Sequence, residues 1–316
     1  FDGWNLIGNP YPSYLSLSEF LTTNNDKLDI SSAGIYGYDG DASNGWTIWN
    51  QSHADANTEE LIAPGQGFFV RAKSDGETVT FTPSMQRTGN ADDFILGRNA
   101  QSAHFGFLRL EAEAQNQTFT TDFYFNSNAS TGLDPGYDAS LFGGTAPPYA
   151  IYSHLVENNT GMPYAIQALG SSDMNDITIP LGLNASQGMD ITIRIASTDL
   201  PDSINIYLED TLTGTITLLN TNEYSFTPSQ DMSGAGRFFL TFESSALSLE
   251  DNPLSELTVV SNPETKSIDI LGLVSIETDF NLYDLHGRLV IEQKLDTNAT
   301  FNSVNVSNLT SGVYII

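Results

Sequence analysis

An all-β fold made of tandem antiparallel β-sandwich domains, jelly-roll or Ig-like, with a small Ig-like sandwich at the C-terminus, is predicted for this 316-residue chain by three observations. Apolar and polar residues alternate with a period of two along most of the chain, turn-forming pairs punctuate that alternation at sandwich spacing, and helical periodicity is scarce. In chain order, Gly3-Trp4-Asn5-Leu6-Ile7 reads as a strand already under way. Residues 16–21, with Ser16 as N-cap and Glu19 three residues on, predict one short helix. Strands are predicted over residues 79–82, 107–112, 121–125, 190–195 and 204–208, where one side chain in two is apolar. Asp39-Gly40, Asn44-Gly45, Asp75-Gly76, Asp134-Pro135-Gly136 and Gly143-Gly144 supply the turns between them.

Length predicts two or three domains. The pattern breaks at residues 97–102 and again at residues 244–253, after a strongly apolar strand, as a linker would. The division expected is a β-rich domain over residues 1–98, a β-sandwich over 104–243, a linker over 244–251 and a terminal domain over 252–316. Phe1 is not an initiator methionine and no export signal precedes the first strand, so the chain is expected to be the C-terminal part of a larger protein. No segment repeats at a fixed period.

Acidic residues outnumber basic ones by 39 to 11, a net charge of −28. Residues 252–316 hold 8 acidic and 3 basic residues, leaving 31 and 8, a net −23, upstream. Such a surface has nothing to neutralise phosphates and argues against nucleic acid and against anionic membranes. The chain contains no cysteine, which excludes disulfides, thiolate catalysis and zinc-thiolate sites. Apolar runs such as Gly67-Phe68-Phe69-Val70 are far shorter than the ~20 residues of a membrane helix, so no direct membrane insertion is expected.

Three blocks near the C-terminus carry the most specific signal: Ser261-Asn262-Pro263; Asn281-Leu282-Tyr283-Asp284-Leu285-His286-Gly287-Arg288; and Asn308-Leu309-Thr310-Ser311-Gly312-Val313-Tyr314-Ile315-Ile316. Each closes a short alternating strand with a turn. In this order they resemble the C-terminal sorting domain of proteins exported by the type IX secretion system of Bacteroidota. The resemblance implies a targeting module recognised by the outer-membrane translocon and a shuttle protein, cut by a surface sortase, with the cargo ending extracellular or at the cell surface. Carried onto this chain, the signal comprises Asn262, Pro263, Tyr283, Asp284, Gly287, Arg288, Leu309, Ser311, Gly312, Val313, Tyr314 and Ile316. Gly287 and Gly312 are expected in turns that other residues would strain, Arg288 as an exposed charge, and Tyr314 and Ile316 on an apolar face. Family members run a few residues further into a polar or basic tail, which is not found after Ile316. Upstream, the Trp4–Pro12, Ala63–Val70 and Phe81–Met85 segments resemble β-rich regions that precede sorting domains in large Bacteroidota surface proteins.

Catalytic constellations are not found. His53, His104, His154 and His286 sit in unrelated contexts, without the helical spacing of a metalloprotease, and no Gly-x-Ser-x-Gly elbow exists. Glu111 and Glu113 beside Arg109 are paired carboxylates of the type glycoside hydrolysis uses, and also what a solvated, charge-paired strand face presents. The expectation is a protein that is not an enzyme. Two binding candidates remain. Asp39, Asp41 and Ser43 place oxygens at alternate positions, as a calcium loop opens, although Asn50 stands where an EF-hand has its bidentate glutamate; calcium is therefore the one cofactor candidate. Tyr36, Tyr38, Trp46 and Trp49 flank that loop and are candidates for a platform that stacks sugar rings, with surface glycans as partners. Three functions stay open: a type IX substrate with a stalk or adhesin-like cargo, a carbohydrate-binding module of a polysaccharide-degrading enzyme, or the accessory end of an enzyme whose catalytic domain lies upstream.

Overall fold

The computed structural model describes residues 3–38, 45–89, 104–115, 117–244, 257–274, 278–284, 287–297, 299–310 and 312–315. Strands take 49% of the chain and helices 10%, which bears out the all-β class. The chain divides into two compact units, Phe1–Ser245 and Ala246–Ile316. Among the described residues no helix is long and apolar enough to cross a membrane.

The first unit opens with β1 (Gly3–Gly8), β2 (Tyr14–Ser16), α1 (Leu17–Asn24), β3 (Ile35–Tyr38), β4 (Trp46–Trp49), α2 (Gln51–Ala56), β5 (Leu61–Ile62), β6 (Gly67–Ala72) and β7 (Gln86–Arg87). Strands β1-β6-β3-β4 form one sheet and β5-β2-β7 a second. The expected helix forms as α1, capped by the Ser16 hydroxyl, which accepts from Glu19 N at 3.3 Å. Its apolar face, Leu17, Phe20 and Leu21, buries against Ile35, Trp49, Phe68 and Val70. Residues 79–82 are not a strand: Asn24 holds Thr80 instead, donating to its carbonyl at 3.0 Å and accepting from its N–H at 2.7 Å. Val79 and Phe81 still pack against the core, so the alternation there records burial, not a ladder.

The rest of the unit runs through β8 (His104–Ala114), β9 (Gln117–Asn126), β10 (Ala139–Ser140), β11 (Ala150–Ser153), β12 (Tyr164–Leu169), β13 (Asp176–Asn184), β14 (Ile191–Thr198), β15 (Ile204–Asp210), β16 (Thr215–Leu218), β17 (Tyr224–Phe226) and β18 (Ala235–Ser244). These form one sheet in the order β16-β15-β18-β13-β11-β12-β9-β8-β14-β17, with β10 on β12. Every pairing is antiparallel except β12 with β9. The sheet coils back on itself. Phe123 and Phe125 of β9 meet Phe242 of β18 at 6.1 and 5.1 Å between ring centroids, so the two halves share one core. A buried ion pair joins β15 and β18 and reaches β17 at the other end of the sheet: Asp210 of β15, wholly buried, accepts from Arg237 Nε at 2.8 Å, from Arg237 Nη2 at 2.6 Å and from the Tyr224 hydroxyl of β17 at 2.5 Å. The Arg237 guanidinium lies over the neighbouring rings of Phe226 and Phe238, at 4.5 and 4.8 Å. These partners hold the Asp210 carboxyl down at about 2, despite its desolvation.

Where the sequence divides residues 1–98 from 104–243, the two parts meet across Tyr36, Tyr124, Ala139 and Ile166, with Trp4, Trp46, Phe69 and Phe142 packed around them. The joint is the Asp134–Asp138 turn. Gly136 O accepts from Gln51 N at 2.8 Å, and Tyr137 O from Asn50 Nδ2 at 2.5 Å and Ser52 Oγ at 2.8 Å, so the start of α2 is bonded to it. Asp138, with no exposed surface, accepts from Asp134 N at 2.7 Å and Ala168 N at 2.8 Å. Burial raises its carboxyl to about 8.

The second unit contains β19 (Thr258–Asn262), β20 (Ser267–Leu271), β21 (Asp279–Tyr283), β22 (Leu289–Lys294) and β23 (Phe301–Asn305). A β19-β20-β23 sheet and a β21-β22 hairpin enclose a core of Ile270, Val274, Phe280, Leu282, Leu295 and Val304.

Arg237→Ala leaves Asp210 buried without its cation and is expected to cost ~3–5 kcal/mol in urea denaturation followed by tryptophan fluorescence. Asp138→Asn presents an amide N–H₂ to one of two backbone donors and should cost about 1–3 kcal/mol. The folded Asp138 keeps its proton up to about pH 8, whereas an unfolded carboxyl releases it near 3.8. Between those values the native state binds more protons, so stability from this group falls as pH rises, and the gap between wild type and Asp138→Asn narrows from pH 5 to pH 8.

Candidate functional site

In the second unit the three sequence blocks become two turns and a terminal segment that makes an isolated antiparallel bridge. Asn262 ends β19, and its Oδ1 accepts from Glu264 N at 3.2 Å and Thr265 N at 3.3 Å, while Nδ2 donates to Asp269 at 3.2 Å. Pro263 lies in this turn, which returns the chain into β20. Asp284 organises the β21–β22 turn. Its Oδ1 accepts from Arg288 N at 3.1 Å, its Oδ2 from Arg288 Nε at 2.8 Å, and its carbonyl from Gly287 N at 2.9 Å. The Arg288 side chain is 78% exposed, so this pair shapes the turn and leaves a cation at the surface. Gly287 has φ +76°, a left-handed conformation that a β-carbon penalises.

The terminal segment pairs with β21 through Tyr283 and Ile315, whose backbones exchange hydrogen bonds of 2.7 and 2.9 Å. Leu309 and Tyr314 pack against the core, and the Tyr314 hydroxyl donates to Thr310 O at 3.0 Å. Val313 and Ile315 face outward, 69% and 56% exposed. Gly312 departs from expectation: its φ is not left-handed, and a β-carbon there would meet the Tyr314 ring at 3.6 Å, ordinary contact. Ser311 and Ile316 lie outside the described residues.

The four upstream aromatics do not form one platform. Strand pairing puts Tyr36 and Tyr38 opposite Ile48 and Trp46 on one sheet face, whereas Trp49, opposite Ile35, points to the other. Trp49 is buried and stacked on His53, and Tyr36 is buried with its hydroxyl donating to Ser140 O at 2.8 Å. Tyr38, 70% exposed, meets the half-buried Trp46 edge to face at 5.5 Å. Trp46 stacks in parallel on Phe142 at 3.8 Å, and the two line a cleft of about 260 Å³ with Ile48, Phe119, Leu141, Thr145 and Pro147. Phe142 escaped the sequence reading. The signal beside it was Gly143-Gly144, whose φ values of +79° and +70° turn the chain so that Phe142 reaches Trp46.

The other candidates sort simply. Asp39, Asp41 and Ser43 lie outside the described residues, so the structure carries no geometry for a calcium loop. Glu111 and Glu113 share Arg194 of the neighbouring strand, at 2.5 and 2.7 Å, and Arg109 pairs with Asp122 through two bonds of 2.7 Å. That is a cross-strand charge ladder.

A family model described as a domain of unknown function, DUF8693, matches residues 1–242, and one described as a secretion system C-terminal sorting domain matches residues 258–316. No curated protein and no solved structure matches the chain. The second match bears out the reading of the three C-terminal blocks. It makes the chain cargo of the type IX secretion system, which interacts with that machinery and is exported across the outer membrane to the cell surface or extracellular space.

Gly287→Val is expected to destabilise the terminal unit by about 1–2 kcal/mol, the penalty of a side chain in the left-handed region. Gly312→Ala should change it by less than about 0.5 kcal/mol. Chemical denaturation of both variants of the full chain, followed by amide exchange in residues 258–315, separates the two.

Proposed function

We propose that this chain, which belongs to the DUF8693 family and ends in a type IX sorting domain, is an adhesin-like surface protein of a Bacteroidota cell. Residues 1–245 serve as stalk and adhesive cargo without a catalytic role. The terminal unit docks on the translocon and its shuttle protein, and a surface sortase acts on it afterwards. The observation that carries the docking step is the extended terminal segment bridged to β21. Tyr283 pairs with Ile315 on one side, and exposed Val313 and Ile315 flank a segment whose other edge has no partner among the described residues. Such an edge is built to be extended by a strand of a partner, with the two apolar side chains as its specificity contacts. Exposed Arg288 adds a cation to a chain that is otherwise strongly acidic.

An adhesive cargo is favoured by the acidic upstream surface, which keeps an exported protein soluble, and by the open aromatic cleft at Trp46 and Phe142. That cleft also favours the second reading, a carbohydrate-binding or accessory module of a secreted polysaccharide-degrading enzyme.

Export of the chain is expected at the surface of a type IX-competent strain and not of a translocon-deficient sister. Val313→Asp with Ile315→Asp should hold it in the periplasm, read by surface proteolysis and cell fractionation. Surface delivery equal to wild type would sink docking through the terminal strand.

A further inference from the structure

We propose that β16 (Thr215–Leu218), an end strand of the large sheet, pairs antiparallel with β16 of a second copy of this chain, Ile216 standing opposite Ile216 across a twofold axis. The pairing goes beyond export and does not depend on what the cargo binds. Backbone direction comes first. Leu219 N donates inward to Ile206 O at 2.8 Å, whereas Leu218 O, one position away, accepts from Asn222 N and Nδ2, both at 3.2 Å. Antiparallel ladders alternate, so residues 215, 217 and 219 present their N–H and C=O groups to β15, and Ile216 presents both of its own away from it. Beyond that edge no strand lies among the described residues. An outward N–H and C=O on one residue are what a twofold pair needs. Each Ile216 gives one bond and accepts one, and Thr215 then stands opposite Thr217.

Charge decides the partner. Residues 211–222 hold no ionisable side chain, although 16% of the chain is charged and its net charge is −28. A second copy is repelled by most of this acidic surface and can approach here. Glu209 stands opposite Ile216 in β15, on the same sheet face. In the paired sheet the two Glu209 side chains lie three strand spacings apart, about 14 Å, beyond the ~8 Å screening length at physiological salt. The charge, proline or bulge that blunts a sheet edge is missing from β16, which keeps an unbroken register with β15, and Ile216 and nearby Leu212 are 66% and 73% exposed. The other end strand, β17, is blunted, with Glu223 just before it and Pro228 two residues after it. Because β16 has only four residues, the contact falls in the weak class below ~1,000 Å², with a Kd of about 100 µM.

The test is sedimentation equilibrium of the full chain from about 10 to about 500 µM, a range that brackets this Kd, together with crosslinking. The average mass should rise from 34.3 kDa towards twice that value. Association should hold or strengthen as salt goes from ~50 to ~500 mM, because the contact contains no ion pair and screening relieves the repulsion between copies. Ile216→Lys sets two like charges opposite each other, and Ile216→Pro deletes the outward N–H that β15 does not use; each should weaken association by about tenfold or more. Amide exchange at Thr217, whose N–H faces β15, confirms that the hairpin is intact in both variants. The chain has no cysteine, so Ile216→Cys introduces a single thiol. A short bis-maleimide should join that thiol to its copy about tenfold faster than the thiol of Leu6→Cys, a position equally exposed, at 66%, on another sheet. A chain that stays monomeric throughout, association that weakens with salt, association unchanged in both residue-216 variants, or equal crosslinking rates overturns the proposal. So does association lost in Val313→Asp with Ile315→Asp, which would put the contact in the terminal unit.

Discussion

The Asp134–Asp138 turn is the constraint on which the upstream unit depends. The carbonyls of Gly136 and Tyr137 and the carboxylate of Asp138 in this turn point to different elements. Gly136 O and Tyr137 O hold the first turn of α2, and Asp138 holds the backbone of β12 through Ala168 N. Because only Asn50 separates β4 from α2, the position of the helix sets where β4 lies against the sandwich. Two residues beyond the turn, Ser140 accepts from the Tyr36 hydroxyl through its carbonyl and meets the Ser32 hydroxyl at 2.8 Å. The chain then turns at Gly143-Gly144 and delivers Phe142 to Trp46. The aromatic cleft is thus a product of the joint, assembled from two stretches of chain that neither sheet could bring together alone.

The same joint explains why part of the sandwich loses its alternation. In β8, residues 108, 110, 112 and 114 are buried and their neighbours half-exposed, as in a sheet wet on one side. From Thr121 to Asn126 in β9, and throughout β12, both faces are buried, because the α2 region and the Tyr36 side of the first sheet cover the back of these strands. Polar residues caught there must be bonded or paid for. Asn126 donates to Asp55 at 3.0 Å, and Tyr124 lies 3.2 Å from His53 Nδ1. The Asp210, Arg237 and Tyr224 network ties β15 and β18 to β17 at the other end of the coiled sheet, and cation–π contacts with Phe226 and Phe238 compensate the guanidinium for its lost water.

The terminal unit follows a different physical plan. Among the described residues its core is six buried apolar side chains, and Val259, Val260, Leu271, Leu289 and Phe301 remain well exposed on strands that a larger sandwich would cover. Turn chemistry carries much of its order, through the Asn262 side chain at one end and the Asp284 carboxylate at another. A module made of short strands, apolar side chains left outside and a terminal edge suits recognition by another protein better than independent rigidity. That is consistent with its role in export by the type IX system.

The sequence by itself determined the all-β class, the α1 helix with its Ser16 cap, most of the strands and the export signal. Each of these is written in local order: a period of two, a cap spaced three residues from its glutamate, turn residues next to strands. It also told that Gly287 sits where a side chain is strained, but it misread Gly312, because a glycine looks the same in either backbone region. Only the tertiary structure decided that Trp49 and Tyr36 are buried, on opposite sheet faces, while Trp46 is half-buried and Tyr38 exposed, since strand register, not proximity in sequence, assigns a ring to a face. Only it found Phe142, and only it showed residues 79–82 held by the Asn24 side chain in place of a neighbouring strand. Burial and pairing across more than fifty residues are non-local quantities, and alternation reports only that a side chain is hidden, not what hides it.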